Sequence, residues 1–293
     1  MVRKMKGDFR NVYKFARNRP VAHEAQVCGA SIELDRIGHT FVSRHGDSVS
    51  ALSDISFRVS PGEFVSLIGP SGCGKSTLLR IVAGLISPTS GEVRISGGNA
   101  RRTNSAFVFQ KPTLLPWLTI LDNCLIPLKL SRIFVPDQKD EARRLLTLVG
   151  LQGFERAYPR ELSGGMQQRA AIARALITKP SLLLMDEPFG ALDALTRDQM
   201  ANELQRIWSE TAATVLFVTH SIQEAAYLSD RIVVMESRPG LVCAIETVPF
   251  QRPRSLTVYE QPEFGRLTVR LREMLGQGQV SPNVSVQEIG GRP

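Results

Sequence analysis

Residues 64–77 read FVSLIGPSGCGKST, and this stretch decides the fold. Its first five residues are apolar apart from one serine, which is typical of a short strand buried on both faces of a sheet. The glycine-rich part that follows matches the pattern G-x-x-x-x-G-K-[ST], and a helix is predicted over about residues 75–84. A strand, a glycine-rich loop and a helix in this order predict a phosphate-binding loop.

The loop pattern assigns chemistry to its residues. Glycines allow backbone amides to converge on the β- and γ-phosphates of a nucleotide, and the positive end of the helix dipole favours the anion. Lys75 is expected to reach phosphate oxygens, and the Ser76 hydroxyl to bind Mg²⁺. A glycine-rich turn before an ordinary helix is the alternative, and the motifs below argue against it. The predicted phosphate-binding residues are Gly69, Pro70, Ser71, Gly72, Cys73, Gly74, Lys75, Ser76 and Thr77.

Strand and helix signals surround this loop. Residues 31–59 alternate as β-strands do, and short strands are predicted near 93–95 and 106–109. Helical periodicity then runs over about 119–176. After it, strands predicted at 182–185, 215–218 and 232–235 alternate with helices near 194–211 and 221–228, and a last helix is predicted at about 263–275. This βα rhythm predicts an α/β fold with a parallel sheet.

Two acidic residues follow one of the predicted buried strands. Asp186 and Glu187 come directly after the run 182–185, at the sheet edge where parallel sheets bind ligands. Asp186 is suited to holding Mg²⁺, and Glu187 to orienting and deprotonating an attacking water as a general base. Acidic residues after a strand also serve as helix caps, so the pair alone does not specify Mg²⁺ binding and catalysis. It indicates this function because the sequence also contains the phosphate-binding loop.

A histidine follows the next predicted strand. His220 comes after residues 215–218, at the same edge of the sheet. A single histidine there is most often structural. In a chain that also carries the phosphate-binding loop and the acidic pair, a neutral imidazole here is suited to hydrogen-bonding the γ-phosphate or the attacking water. This makes His220 a catalytic candidate.

Residues 162–169 read LSGGMQQR and supply a second anion site. Ser163 is a good N-cap for a helix predicted to run through Ala175, and Gly164 and Gly165 expose backbone amides at its start. An ordinary capped helix is the alternative. The stretch resembles the signature sequence of the ABC (ATP-binding cassette) ATPases, and the resemblance extends over roughly residues 31–245.

The resemblance implies a fold and a set of further site residues. The fold is that of a P-loop NTPase, with a RecA-like parallel core, an antiparallel β subdomain and an inserted helical subdomain at about 111–176. ATP and Mg²⁺ are the implied ligands. Gln110 matches the glutamine that senses Mg²⁺ and the membrane partner, Asp193 ends the 191–193 loop at the dimer interface, and Phe41 matches the aromatic residue that stacks on adenine.

In this family two copies close on ATP head to tail, the phosphate loop of one facing the signature of the other. The resemblance therefore implies an ATPase that works as a dimer beneath separate membrane-spanning permease subunits, which dock on residues of about 111–130. Leu114, Leu115 and Trp117 are candidate walls of that groove, although Trp117 is equally compatible with internal packing.

Three domain segments are predicted: a basic arm at 1–30, the ATPase domain at 31–247, and a C-terminal extension at 248–293 with one helix and a disordered tail. The first 20 residues hold seven basic residues and one acidic residue. A solvated, disordered arm is one interpretation, and contact with a lipid surface or a partner is the other.

Composition limits the cellular location and the kinds of partner that the chain can have. The net charge of +8 is compatible with nucleic acid, an anionic membrane or a phosphate-rich ligand. No apolar run has the roughly 18–20 residues of a bilayer-spanning helix, and the N-terminus has no secretory signal pattern. The four cysteines lie far apart, without metal-site spacing. These features predict that the chain stays in the cytoplasm, and the resemblance to ABC transporter subunits implies a peripheral position on the cytoplasmic face of the inner membrane.

Other functional classes are less compatible with the sequence. Cassettes of DNA repair proteins carry long coiled coils or zinc modules, ribosome-associated members usually carry two cassettes, and small-molecule kinases lack the signature. Nucleic acid is therefore not an expected partner. Residues 116–123 (PWLTILDN), 237–240 (SRPG) and 252–255 (RPRS) resemble the importers of nitrate, sulfonates and taurine, which also use an extracytoplasmic solute-binding protein.

Overall fold

A computed structural model describes residues 29–43, 46–97, 104–131 and 137–277. The predicted basic arm lies outside these ranges except for its last two residues, and the predicted tail beyond residue 277 lies outside them as well. Within them the strands are β1 (Ala30–Val42), β2 (Ser48–Val59), β3 (Phe64–Ile68), β4 (Ser90–Gly97), β5 (Ser105–Val108), β6 (Leu182–Asp186), β7 (Thr214–Val218), β8 (Arg231–Glu236) and β9 (Leu241–Thr247). The α-helices are α1 (Lys75–Val82), α2 (Ile120–Ser131), α3 (Gln138–Leu148), α4 (Gly164–Leu176), α5 (Ala194–Thr211), α6 (Ile222–Leu228) and α7 (Pro262–Gln277).

The central sheet has the strand order β5-β6-β7-β3-β8-β9. Its first five strands are parallel, and β9 pairs antiparallel with β8 at one edge. Every residue of β3, β6 and β7 is buried, as their continuous apolar sequences predict. Because the carboxyl ends of parallel strands share one edge, the loops after these three strands meet.

A smaller antiparallel sheet, in the order β2-β1-β4, covers one face of the central sheet together with α1. Side chains of successive strand residues point to opposite faces, so Val65 and Leu67 pack toward the small sheet while Phe64 and Ile68 pack toward the helices. The predicted α/β architecture, with its parallel core and antiparallel β sheet, is confirmed.

The helical region predicted at 119–176 consists of α2, α3 and α4, and α2 packs against the other two. Helices α5 and α6 occur where the sequence predicts them, within one residue at each end. No helix in the described ranges combines the length and the apolar character needed to cross a bilayer.

The segment after β9 is held to the core by Arg254, which is only 4% exposed. Its guanidinium donates to the carbonyl oxygens of Tyr227 (2.8 Å) and Ser229 (2.7 Å), and its own carbonyl accepts from Gln205 (2.6 Å). Burial lowers the pKa of Arg254 to about 10, which leaves the group charged at neutral pH. Helix α7 adds its apolar face to the same core cluster as α5 and α6. The domain boundary at residue 247 stays a prediction.

Candidate functional site

The glycine-rich loop joins β3 to α1 and touches β2. Gly74 is the N-cap residue of α1 and lies in the left-handed region, with φ 89° and ψ 6°. A Cβ atom at this position would lie 2.5 Å from the Leu52 side chain and 2.8 Å from the carbonyl oxygen of Ala51. Only glycine therefore allows this conformation and this close approach together.

The turn between β8 and β9 bonds to β2 and contacts the phosphate-binding loop. The amide of Gly240 donates to the Ala51 carbonyl at 3.1 Å, and its own carbonyl accepts from Ser53 at 2.9 Å. A Cβ atom at Gly240 would lie 2.3 Å from the carbonyl oxygen of Cys73. The 237–240 motif, which the sequence offered only as a mark of an importer group, thus packs directly against the phosphate-binding loop.

Lys75 places its ammonium inside the curl of the loop. The side chain is 6% exposed, and Nζ donates to the carbonyl oxygens of Gly69 (2.7 Å) and Pro70 (3.0 Å). These bonds hold the positive charge next to the amides at the start of α1. Loop amides, helix dipole and ammonium would act together on an anion bound there.

Ser76 and Asp186 converge at the carboxyl edge of the sheet. The Ser76 hydroxyl donates to Asp186 Oδ1 at 2.7 Å. Asp186 is 2% exposed, and its burial raises the pKa of the carboxyl, while the hydrogen bond from Ser76 opposes this shift. A hydroxyl and a carboxylate are oxygen ligands of the kind that Mg²⁺ binds, and a cation would favour the ionised carboxylate. The residues present therefore fit the predicted metal.

Glu187 brings two other predicted residues together. Its Oε2 accepts a hydrogen bond from Gln110 Nε2 at 3.1 Å and lies 3.4 Å from His220 Nδ1. Its backbone has φ 46°, a left-handed value that is unfavourable for a residue with a side chain, and its amide donates to the Val218 carbonyl at 2.9 Å. The β7 contact holds the strained residue in place, so the carboxylate faces the same edge as the loop.

Phe41 lies on the β1–β2 hairpin and is 48% exposed. Its ring packs edge-on against His39, with the ring centroids 4.5 Å apart. His39 pairs in register with Leu52, the residue that contacts Gly74. The hairpin thus extends from the phosphate-binding loop to an exposed aromatic ring, an arrangement compatible with a base stacked on Phe41.

The signature residues lie elsewhere in the described chain. Ser163 caps α4, and its hydroxyl accepts from the Met166 amide at 3.3 Å, as the sequence predicts. No hydrogen bond or ion pair within the described ranges joins Ser163, Gly164 or Gly165 to the loop at 69–77. Instead, a Cβ atom at Gly165 would lie 3.2 Å from the Leu192 side chain.

Asp193 caps α5 by accepting hydrogen bonds from the Thr196 amide (3.0 Å) and hydroxyl (2.7 Å). These bonds, the backbone one first, lower the pKa of the Asp193 carboxyl. Its carboxylate is therefore engaged with its own helix, and a contact with nucleotide stays a prediction.

Sequence reasoning missed three residues behind the site. Thr219 donates to Glu224 at 2.5 Å, and Arg197 lies 3.4 Å from the same carboxylate. The one available signal was the pattern S-x-x-E over Ser221 and Glu224, which marks the start of a helix. Arg197 carried no such signal.

Comparisons with known proteins identify the family. The sequence profile of the ABC transporter family matches residues 52–190. The aliphatic sulfonates import ATP-binding protein of Bacillus thuringiensis is 46% identical over 229 residues (78% of this chain, 90% of that protein). The taurine import ATP-binding protein of Rhizobium johnstonii is 43% identical (83% and 96%), and the nitrate import ATP-binding protein of Synechococcus elongatus is 41% identical (86% and 93%).

A solved structure gives the same result. The fold is similar to a dimeric, post-hydrolysis state of an ATP-binding cassette bound to ADP and Pi, with a TM-score of 0.68 and 33% sequence identity. The match covers 75% of this chain and the whole of that cassette.

Proposed function

Because the chain belongs to the ABC transporter family, we propose that it hydrolyses ATP to power the import of a small solute with a negatively charged group, such as a sulfonate, taurine or nitrate. The protein is an ATP-binding subunit and an ATPase. The solute is inferred from relatives named for import of these solutes, at 41–46% identity over most of the chain. The RPRS and SRPG motifs add to this inference.

The catalytic part of this proposal rests on the groups that lie together at the carboxyl edge of the central sheet. Lys75 and the loop amides are placed to bind the phosphates, and Ser76 and Asp186 to hold Mg²⁺. Mg²⁺ bound there would offset the charge of the triphosphate. Glu187 then orients and deprotonates water, while His220 holds the γ-phosphate or that water by a hydrogen bond.

We infer that two copies share each ATP. The signature residues make no hydrogen bond to the loop of their own chain within the described ranges, and α4 presents a capped N-terminus with Ser163 and Gly164 exposed. A second copy arranged head to tail brings this N-terminus to the γ-phosphate. ATP then stabilises the closed dimer, and hydrolysis removes the contacts that close it.

The docking site proposed for the permease is the surface at about 111–130. Trp117 is 69% exposed, which favours a surface role over internal packing. The buried Asn123 fixes this loop, because its side chain bonds both the amide of Leu115 (2.8 Å) and the carbonyls of Leu115 (3.1 Å) and Leu118 (3.1 Å). A rigid loop with an exposed aromatic residue fits a helix-in-groove partner.

This function requires a peripheral location at the inner membrane, on the cytoplasmic face. The membrane-spanning permease supplies the path, and an extracytoplasmic solute-binding protein delivers the solute to it, so that this chain is linked to that protein only indirectly. Cycles of dimer closure and opening move the permease between its two orientations.

An uptake measurement tests the solute class. The chain is purified with its cognate permease and placed in vesicles together with the cognate solute-binding protein. ATP inside the reconstituted compartment is expected to drive accumulation of labelled taurine, an alkanesulfonate or nitrate, and an uncharged sugar is the control. Uptake of the sugar with no uptake of taurine, the alkanesulfonate or nitrate contradicts the proposed solute class.

A further inference from the structure

Glu224 is a buried carboxylate in the first turn of α6, four residues after His220. It is 7% exposed, and its burial raises the pKa of the carboxyl, while the Thr219 hydroxyl and Arg197 oppose the shift. In an ordinary capping box, a glutamate at this position would accept from the amide of Ser221. Here the carboxylate accepts from the Thr219 hydroxyl at 2.5 Å instead.

Thr219 connects this carboxylate to the backbone on both sides of His220. Its hydroxyl accepts from the Ser221 amide at 3.0 Å, and its own amide donates to the Leu67 carbonyl at 3.3 Å. The His220 side chain itself is 59% exposed and lies 3.4 Å from Glu187. Because little packs around the imidazole, its direction depends on the backbone at residues 219–221.

Arg197 joins the same carboxylate to a second loop. Its Nε lies 3.4 Å from Glu224 Oε1, at ion-pair distance but without hydrogen-bond geometry, and its Nη2 donates to the Leu192 carbonyl at 3.1 Å. Leu192 is 5% exposed and packs beside Gly165 of the signature. The Arg197–Glu224 pair thus lies between the 191–193 turn and the backbone that carries His220.

We propose that Arg197 and Glu224 are positioning residues for His220, and that they fix the position of the His220 backbone relative to the 191–193 turn. The inference rests on the proposed catalytic role of His220. Neither side chain reaches the site itself; the carboxylate acts through Thr219, and the guanidinium acts through the carboxylate and the Leu192 carbonyl.

A purely structural role explains these contacts less well. This ion pair contributes little net stability, because the buried Glu224 carboxylate must be desolvated while solvent screens the Arg197 guanidinium, whose side chain is 31% exposed. The pair instead fixes the position of the Glu224 carboxylate, because one of its oxygens accepts a hydrogen bond from Thr219 and the other faces Arg197. A catalytic group misplaced by about 1 Å can lose roughly 100-fold in rate.

The test is a double-mutant cycle on ATP hydrolysis by the full chain. Glu224→Gln keeps the size of the side chain and removes its charge. It is expected to lower kcat by about tenfold or more, with KM changed by less than about threefold. In a His220→Ala background the same substitution is expected to change kcat by less than about twofold, because its target is gone. Arg206→Ala, which removes two exposed ion pairs on the same helix α5, is the matched control.

Arg197→Lys is the second variant, and it decides the question if Glu224→Gln fails to fold, as judged by its thermal midpoint. The shorter lysine keeps a charge near Glu224 but loses the bond to the Leu192 carbonyl, so a kcat loss of about threefold or more, absent with His220→Ala, is expected. Equal losses in both backgrounds, a KM that rises with kcat unchanged, or no loss at all overturns the positioning role. If His220→Ala leaves kcat unchanged, the catalytic role of His220 fails too.

Discussion

Replacing Glu187 by glutamine is expected to lower ATP turnover by about 10²–10³-fold while ATP stays bound. Glutamine has nearly the same size as glutamate and is equally unfavourable at φ 46°. The substitution therefore changes the charge of the carboxylate and little else. Without that charge no group at this position can accept the proton of the attacking water. The phosphate contacts of Lys75 and of the loop remain, so bound ATP and a stabilised dimer should accumulate. Phosphate release and sedimentation with MgATP measure the two effects.

Glu210→Gln is the matched control for this prediction, because Glu210 is exposed on α5 and pairs only on the surface with Arg206. It should leave turnover unchanged. Turnover at the wild-type rate in Glu187→Gln would remove Glu187 from the role of general base.

Replacing Lys75 by alanine is expected to lower kcat/KM for ATP by about 100-fold or more, because a buried positive charge next to the phosphates is lost. Lys75 Nζ also bonds the Gly69 and Pro70 carbonyls, so those two acceptors lose a partner. ATP affinity by calorimetry and steady-state hydrolysis measure the loss, and circular dichroism checks that α1 remains folded.

Lys139→Ala, at an exposed position of α3, is the control and should bind ATP as the wild type does. Unchanged affinity and unchanged turnover in Lys75→Ala would contradict the assignment of the phosphate-binding loop.

Sequence predicted the elements around the site because their signals are local. The strand at residues 64–68 and the helix at 194–211 have the bounds expected from apolar runs, turn residues and N-caps. The loop and the Ser163 cap also follow from short patterns. Residues 182–187 carried both a buried strand and its two acids in one stretch, and β6 ends at Asp186.

Contacts between distant segments could not be predicted in this way. Gly240 packs on Cys73 from the turn between β8 and β9, and Arg197 approaches Glu224 from another helix. Neither pairing leaves a pattern in one stretch of sequence, because it depends on strand order and on helix packing. The left-handed backbone of Glu187 could not be predicted either, because a glutamate gives no sign of positive φ and the hydrogen bond of its amide to Val218 comes from a distant strand.

The central claim is that one ATP lies between the phosphate-binding loop of one copy and the signature of another. Disulfide cross-linking tests it directly, using one tagged copy with Ser71→Cys and a differently tagged copy with Ser163→Cys, both exposed positions. Both copies carry Glu187→Gln, with Cys28 and Cys243 replaced by serine. Cys73 and Cys124 are fully buried and can stay, and burial raises the pKa of Cys124 to about 12, so its thiol remains protonated.

The predicted result is a disulfide between the two differently tagged copies that forms with MgATP and not without nucleotide. Cross-links that form only within one chain, or no cross-link between copies while ATP is demonstrably bound, would contradict the shared site.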